Sequence, residues 1–155
     1  MRIIKAPMIW TQRIEEHSVF LAGGISKCPN WQEVVTSHIK FGFDQTNLLV
    51  LNPRRDDFDV SNTKASEKQI VWEHDALNRC DTLLFWFPKD TPCPITLYEL
   101  GNYCEKKPNL IVGVDPDYQR KLDVTIQTRL RRPDVKVQEG FDNFLMDVSK
   151  HLRSI

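Results

Sequence analysis

The chain has 155 residues, of which 41% are apolar and 27% are charged, and 21 basic residues balance 21 acidic ones. This length and composition are typical of a globular protein, and we expect a single domain over 1–155 with an N-terminal arm at 1–17. The balanced charge produces no overall field that would favour a nucleic acid polymer or an anionic membrane surface.

Short apolar runs alternate with helical patterns along the chain. Strands are predicted at 19–22, 48–51, 82–87, 110–114 and 135–137, and helices at 31–41, 67–79, 94–106, 122–130 and 141–152. Continuous apolar strands separated by helices are typical of a parallel sheet covered on both faces. About five strands in this length favour an α/β fold, a flavodoxin-like or Rossmann-like three-layer sandwich with strand order 2-1-3-4-5.

In that order the first and third predicted strands are neighbours, and a crevice opens where their outgoing loops part. Those loops are 23–29 and 88–94. The fold therefore brings the glycine turn after the first strand towards Glu99, which follows the second loop. The turn residues are Gly23, Gly24, Ile25 and Ser26.

Glu99 is the first candidate for a chemical role. It lies in or just after the first turn of the helix predicted at 94–106. A helix N-terminus favours an ionised carboxylate, which a nucleophile requires. The alternative is a surface glutamate that completes the helix N-terminus.

Asp75 is the second candidate, on the helix predicted at 67–79. Glu73, His74 and Asp75 are consecutive, so at 100° per residue they cannot all face one way. Taken alone, Asp75 is better described as a solvated helix residue, because Asp is usually exposed.

Arg54 and Arg55 follow the end of the second predicted strand. Forked hydrogen bonds from a guanidinium suit a phosphate or a carboxylate. Ion pairs with nearby acidic residues are an equal alternative; those residues are Asp56, Asp57 and Asp59. Trp31, just after the first loop, is the better pocket aromatic, whereas Trp86 within an apolar strand suits the core.

The cysteines form no CxxC pair and no close cluster with histidine; they are Cys28, Cys80, Cys93 and Cys104. Free thiols in a reducing compartment are the simplest interpretation, so we expect no bound metal and no cofactor. The N-terminus lacks the apolar stretch of a signal peptide, and no segment has the length of a membrane span. These observations predict a cytoplasmic protein.

Several segments, in order, resemble the nucleoside 2-deoxyribosyltransferase family, especially its transferase-like branch. The matching segments are Val19–Ile25, Trp31-Gln32, Asn52–Arg55, Gln69–Glu73, Asp81–Pro88 and Pro94–Gly101. The resemblance runs from about residue 18 to 115. Their order and spacing, rather than any single motif, carry the match.

The resemblance implies a catalytic pair and a pocket. In that family a Glu in an E-[LI]-G motif is the nucleophile, which corresponds to Glu99, and an upstream Asp handles the nucleobase and its proton, which falls on Asp75. The implied substrate-binding residues are Gly23, Gly24, Ile25, Ser26, Trp31, Arg54, Asp90 and Tyr98. Typical members carry an Asp six residues before the Glu, where this chain has Cys93.

The leading hypothesis is therefore transfer of 2-deoxyribose between nucleobases through a covalent Glu99 intermediate. One alternative is an N-glycoside hydrolase of nucleosides or 5′-monophosphates, and another is a non-catalytic nucleotide-sensing module. The expected ligands are a small nucleoside or nucleotide and a free nucleobase. The family also implies a homo-oligomer, at least a dimer.

Overall fold

The computed structural model describes residues 1–42, 47–55 and 63–155 and contains a parallel sheet of six strands in these ranges. Its strands are β1 (Arg2–Lys5), β2 (His17–Gly23), β3 (Leu48–Asn52), β4 (Thr82–Phe87), β5 (Asn109–Val114) and β6 (Gln138–Glu139). The spatial order is β1-β3-β2-β4-β5-β6, and every pairing is parallel.

The helices are α1 (Trp31–Gly42), α2 (Thr63–Arg79), α3 (Pro94–Tyr103), α4 (Lys121–Arg131) and α5 (Phe141–Leu152). Two helix boundaries differ from prediction by more than one residue: α2 begins at Thr63 instead of 67, and α3 ends at Tyr103 instead of 106. Within the described ranges, no helix combines the length and the apolarity that crossing a membrane requires.

The predicted fold class is confirmed. The predicted strands correspond to β2 through β6, whose order matches 2-1-3-4-5. The last of them lies at Gln138–Glu139 rather than at 135–137. The sixth strand comes from the N-terminal arm, since β1 pairs with β3 at the edge of the sheet.

The sheet separates two apolar clusters, because successive side chains of a strand point to opposite faces. Phe20 and Phe85 pack on one face with side chains of α2, α3 and α4. Leu21 and Leu84 pack on the other face with α1 and α5. All four side chains are at most 1% exposed, which explains why these strands are continuous apolar runs.

An ion pair links the two ends of the N-terminal arm. Arg2 Nε on β1 donates to Glu16 Oε1 at 2.6 Å, and the Glu16 side chain is only 4% exposed. The hydrogen bonds from Arg2 lower the pKa of Glu16 to about 2, despite the opposing effect of burial. Further along, the arm crosses α2, where Trp72 Nε1 donates to the Met8 carbonyl at 2.8 Å.

Candidate active site

A cavity of about 610 Å³ opens at the carboxyl ends of β2 and β4, between the loops that follow them and the helices α2 and α3. Its lining residues are Phe20, Ala22, Gly23, Gly24, Ile25, Ser26, Pro53, Arg55, Ser66, Gln69, Ile70, Glu73, His74, Leu77, Thr91, Cys93, Pro94, Ile95, Thr96, Tyr98, Glu99, Asn102 and Tyr103. This is the edge of a parallel α/β sheet at which ligands bind. The volume is in the range of small-molecule sites.

Glu99 lines this cavity from α3. Because α3 begins at Pro94, Glu99 lies in the second helical turn, and no acidic residue occupies the first. The helix dipole acts mainly within the first turn, so the expected stabilisation of an ionised carboxylate is absent here. Burial, together with the negative charge of Glu73, instead raises the pKa of Glu99 to about 8.

Glu73 is the second carboxylate of the cavity, contributed by α2. Burial raises its pKa, and a hydrogen bond from Gln69 acts in the opposite direction. The distance from Gln69 Nε2 to Glu73 Oε1 is 2.7 Å. Two carboxylates that both resist ionisation in one cavity form a coupled pair, and at neutral pH such a pair retains a proton.

The glycine turn shapes the opposite wall. A Cβ atom on Gly23 would lie 2.4 Å from the Trp86 carbonyl oxygen and 2.5 Å from the Trp31 ring. Trp31 Nε1 and Gln32 Nε2 both donate to the Gly24 carbonyl, at 2.8 and 3.2 Å. The turn is therefore packed tightly between β4 and α1, with its backbone held in one orientation.

Arg54 and Arg55 are neighbours in sequence, but only Arg55 lines the cavity. The Arg54 guanidinium donates to the backbone carbonyls of Pro29 and Cys28 at 3.0 and 3.1 Å, and so clamps the loop after β2. Arg55 lines the cavity. The acidic residues weighed as ion-pair partners, Asp56, Asp57 and Asp59, lie outside the described residues.

Cys93 is the last residue of the loop before α3. Its side chain lines the cavity and is 4% exposed, and its backbone adopts a left-handed conformation with φ of 46°. Burial raises the pKa of its thiol to about 12, so the group is neutral at physiological pH. Tyr118 Oη donates to the Pro92 carbonyl at 2.7 Å and fixes the adjoining backbone.

The structure brings together Gly23, Gly24, Ile25, Ser26, Tyr98 and Glu99. Four predicted residues are not among the described lining residues. Trp31 is buried behind the glycine turn, Arg54 clamps its loop, and Asp90 is exposed. Asp75 points away and accepts a hydrogen bond from Arg79 at 2.8 Å.

Sequence reasoning missed Glu73 and Gln69, although a signal was present. The buried residues of α2 are Gln69, Trp72, Ala76 and Leu77. Position 73 lies on this stripe, one turn after Gln69 and adjacent to Trp72, whereas position 75 lies off it. A polar pair four residues apart on an apolar stripe of a helix is a better indicator of a site than proximity in sequence.

A three-layer α/β sandwich with a cavity at the carboxyl edge of its sheet is typical of proteins that bind small molecules. The sequence matches the profile of the family described as nucleoside 2-deoxyribosyltransferase like over residues 16–118. This match spans most of the chain, including both carboxylates, and the chain belongs to that family. A comparison with curated proteins finds no match.

Proposed function

We propose that this protein transfers 2-deoxyribose between nucleobases, with Glu99 as the nucleophile. The observation that carries the proposal is the pair of carboxylates, Glu73 and Glu99, in a cavity of about 610 Å³. Cleavage of an N-glycosidic bond with retention needs one carboxylate to attack the sugar and a second acid to protonate the leaving base. The pair supplies one of each when it holds a single proton.

In the first step, an oxygen of ionised Glu99 forms a bond to the anomeric carbon as the bond from that carbon to the base nitrogen breaks. Protonated Glu73 gives its proton to the departing base. Positive charge develops on the sugar in the transition state, and a nearby carboxylate stabilises it. The products are a free base and a deoxyribosyl ester of Glu99.

In the second step, a nitrogen of an incoming base attacks the anomeric carbon and releases Glu99 as a carboxylate. Glu73, now ionised, takes the proton from that nitrogen. The pair then again holds one proton and one negative charge. Two successive inversions give overall retention at the sugar carbon.

Hydrolysis of nucleoside 5′-monophosphates is the second candidate function. Arg55, Ser26, Ser66 and His74 also line the cavity. A guanidinium, an imidazole and two hydroxyls are donors suited to a phosphate. In this case water, rather than a base, captures the Glu99 ester.

The decisive experiment incubates the protein with a 2-deoxynucleoside or its 5′-monophosphate, with and without a different free base, and follows the bases by chromatography. Exchange that requires the added base supports the transferase. Base release without it supports the hydrolase. Binding without turnover would support the sensing module and exclude both enzymatic proposals.

Variants of the two carboxylates test the assigned roles. We expect Glu99→Gln to abolish the covalent ester, detected by intact mass after acid quench, and to reduce turnover roughly a thousand-fold or more. Glu73→Gln should reduce turnover by about 10²- to 10⁴-fold, as loss of a general acid does. Asp75→Asn is the matched control on the same helix, since Asp75 lies outside the cavity lining. Full activity of Glu99→Gln would exclude the covalent route.

We also propose that the protein assembles as a homo-oligomer. Ile70, Ile95 and Tyr98 line the cavity yet are 64%, 64% and 74% exposed. Apolar side chains grouped at the mouth of a cavity favour a covering partner, and a second copy is the simplest one. Sedimentation velocity would distinguish a dimer or larger assembly from a monomer.

A further inference from the structure

Gln69 joins Glu73 to the edge of the sheet. Its amide nitrogen donates to the Pro53 carbonyl and to Glu73 Oε1, both at 2.7 Å. Pro53 directly follows β3, so a single side chain connects α2 to the backbone at the carboxyl end of a strand. Gln69 is itself 7% exposed.

The orientation of this amide is fixed by its partners. A backbone carbonyl and an ionised carboxylate only accept hydrogen bonds, so the nitrogen of Gln69 must face both of them. Gln69 Oε1 is then left buried, without a hydrogen-bond partner among the described residues. Buried polar atoms of native proteins usually have a hydrogen-bond partner, so the two acceptors on the nitrogen set the orientation of this amide at the expense of its oxygen.

We propose that Gln69 is the positioning residue for Glu73, which it holds by one carboxylate oxygen so that the group keeps a fixed orientation and a bias towards the ionised form. The inference rests on the proposed function of the Glu73–Glu99 pair. In the empty cavity this bias places the shared proton on Glu99. The glycosyl step needs that proton on Glu73, so Gln69 controls the free-energy difference between the resting and the reactive forms.

Other titratable and charged groups face the same cavity. They are Arg55 after β3, His74 on α2, Cys93 before α3, and Tyr98, Glu99 and Tyr103 on α3. The charge of Glu73 is one of the two causes that raise the pKa of Glu99. Titration of Glu73 is therefore measured in a Glu99→Gln background, in which the coupled proton is removed.

The test follows the carboxyl carbon of Glu73 by NMR as a function of pH, with and without Gln69→Met. Met has a similar length but donates no hydrogen bond, so we expect the midpoint of Glu73 to rise by about one pH unit. Gln127→Met, at an exposed position of α4, is the matched control and should leave the midpoint unchanged. An unchanged midpoint in Gln69→Met would overturn the proposal.

Activity gives a second measurement. In the otherwise unaltered protein, Gln69→Met should move the acid limb of the kcat–pH profile to higher pH and leave the alkaline limb, which reports Glu99, in place. A purely structural role would lower stability without moving either limb. If Gln69→Met fails to fold, Gln69→Asn shortens the reach of the amide and should raise the Glu73 midpoint as well. The titration requires no turnover, so full activity of Glu73→Gln would contradict the proposed function and leave the titration result standing.

Discussion

At the scale of single residues, Glu73 and Glu99 would both be negative when ionised, and both lie in a cavity that limits contact with water. Their mutual repulsion means that the two protons leave in separate steps that belong to the pair. Burial and Glu73 raise the pKa of Glu99 to about 8. In the proposed mechanism the active form holds one proton, so it would exist only between the two steps.

This arrangement predicts a bell-shaped dependence of kcat/KM on pH. At low pH both groups are protonated and no nucleophile exists; at high pH both are ionised and no acid exists. The alkaline limb should lie near the pKa of about 8 for Glu99, and the acid limb above the ordinary value of 4.5, since the pKa of Glu73 is raised. Steady-state rates from pH 4 to 10 would measure both limbs. If the pH profile of Glu73→Gln kept the same alkaline limb as the wild type, the proposal that the two carboxylates share a proton would be contradicted.

Sequence alone was sufficient to place Glu99 at the cavity, because it follows an apolar strand and a short loop at the edge where α/β proteins bind ligands. It was not sufficient to choose between Glu73 and Asp75. The two are separated by 200° around α2, and only the packing of that helix decides which one faces the cavity. The raised pKa of Glu99 could not be predicted from the sequence either, because burial and the nearness of Glu73 are tertiary properties.

At the scale of elements, the end of β2 packs so closely against β4 and α1 that a side chain has no room. We predict that Gly23→Ala destabilises the protein by about 1 to 3 kcal/mol, as overpacking does, because its Cβ would meet the Trp86 carbonyl and the Trp31 ring. Gly101→Ala is the matched control, since no atom lies within 4 Å of its Cβ position in α3. Helix propensity favours that control change by up to about 1 kcal/mol. Denaturant unfolding measures both; equal stability of the two variants would contradict the close packing.

The bounds of a helix were predicted best where its apolar residues recur regularly on one face. The bounds of α5 agree with prediction because its buried residues recur on one face, with Phe144, Val148 and Leu152 at intervals of four. The start of α2 was placed too late because Ser66 resembles an N-cap although the helix already begins at Thr63. The register of β1 depends on pairing with the distant β3, which a local pattern does not encode.

At the scale of the whole molecule, the carboxyl and amino ends of the parallel strands carry different groups. The carboxyl edge holds the cavity, whereas the opposite edge holds a cluster that links β2, β4 and α5. The Thr82 hydroxyl lies 2.7 Å from His17 Nε2 and 2.9 Å from His151 Nε2, and the two imidazole centroids are 6.0 Å apart. Thr82 is fully buried. We call the hydrogen-bonded group of His17, Thr82 and His151 the polar tie.

This tie predicts that stability falls in mild acid. Burial lowers the pKa of His17 below its ordinary value of 6.5, and burial together with the neighbouring His17 lowers the pKa of His151; Asp81 and Asp147 partly oppose these effects. The unfolded chain therefore binds more protons than the folded one just below pH 6.5, so the stabilisation is present above that pH and is lost as the pH falls.

Each imidazole contributes a slope of at most about 1.4 kcal/mol per pH unit, and less here because both are only half-buried. Urea unfolding of the wild type between pH 7.5 and 5 should show this loss, and the double change His17→Gln with His151→Gln should remove most of the slope. His74→Gln is the control, because His74 is an exposed imidazole on the cavity side of the protein. A slope that survives the double change would assign the acid sensitivity to other groups and separate it from the polar tie.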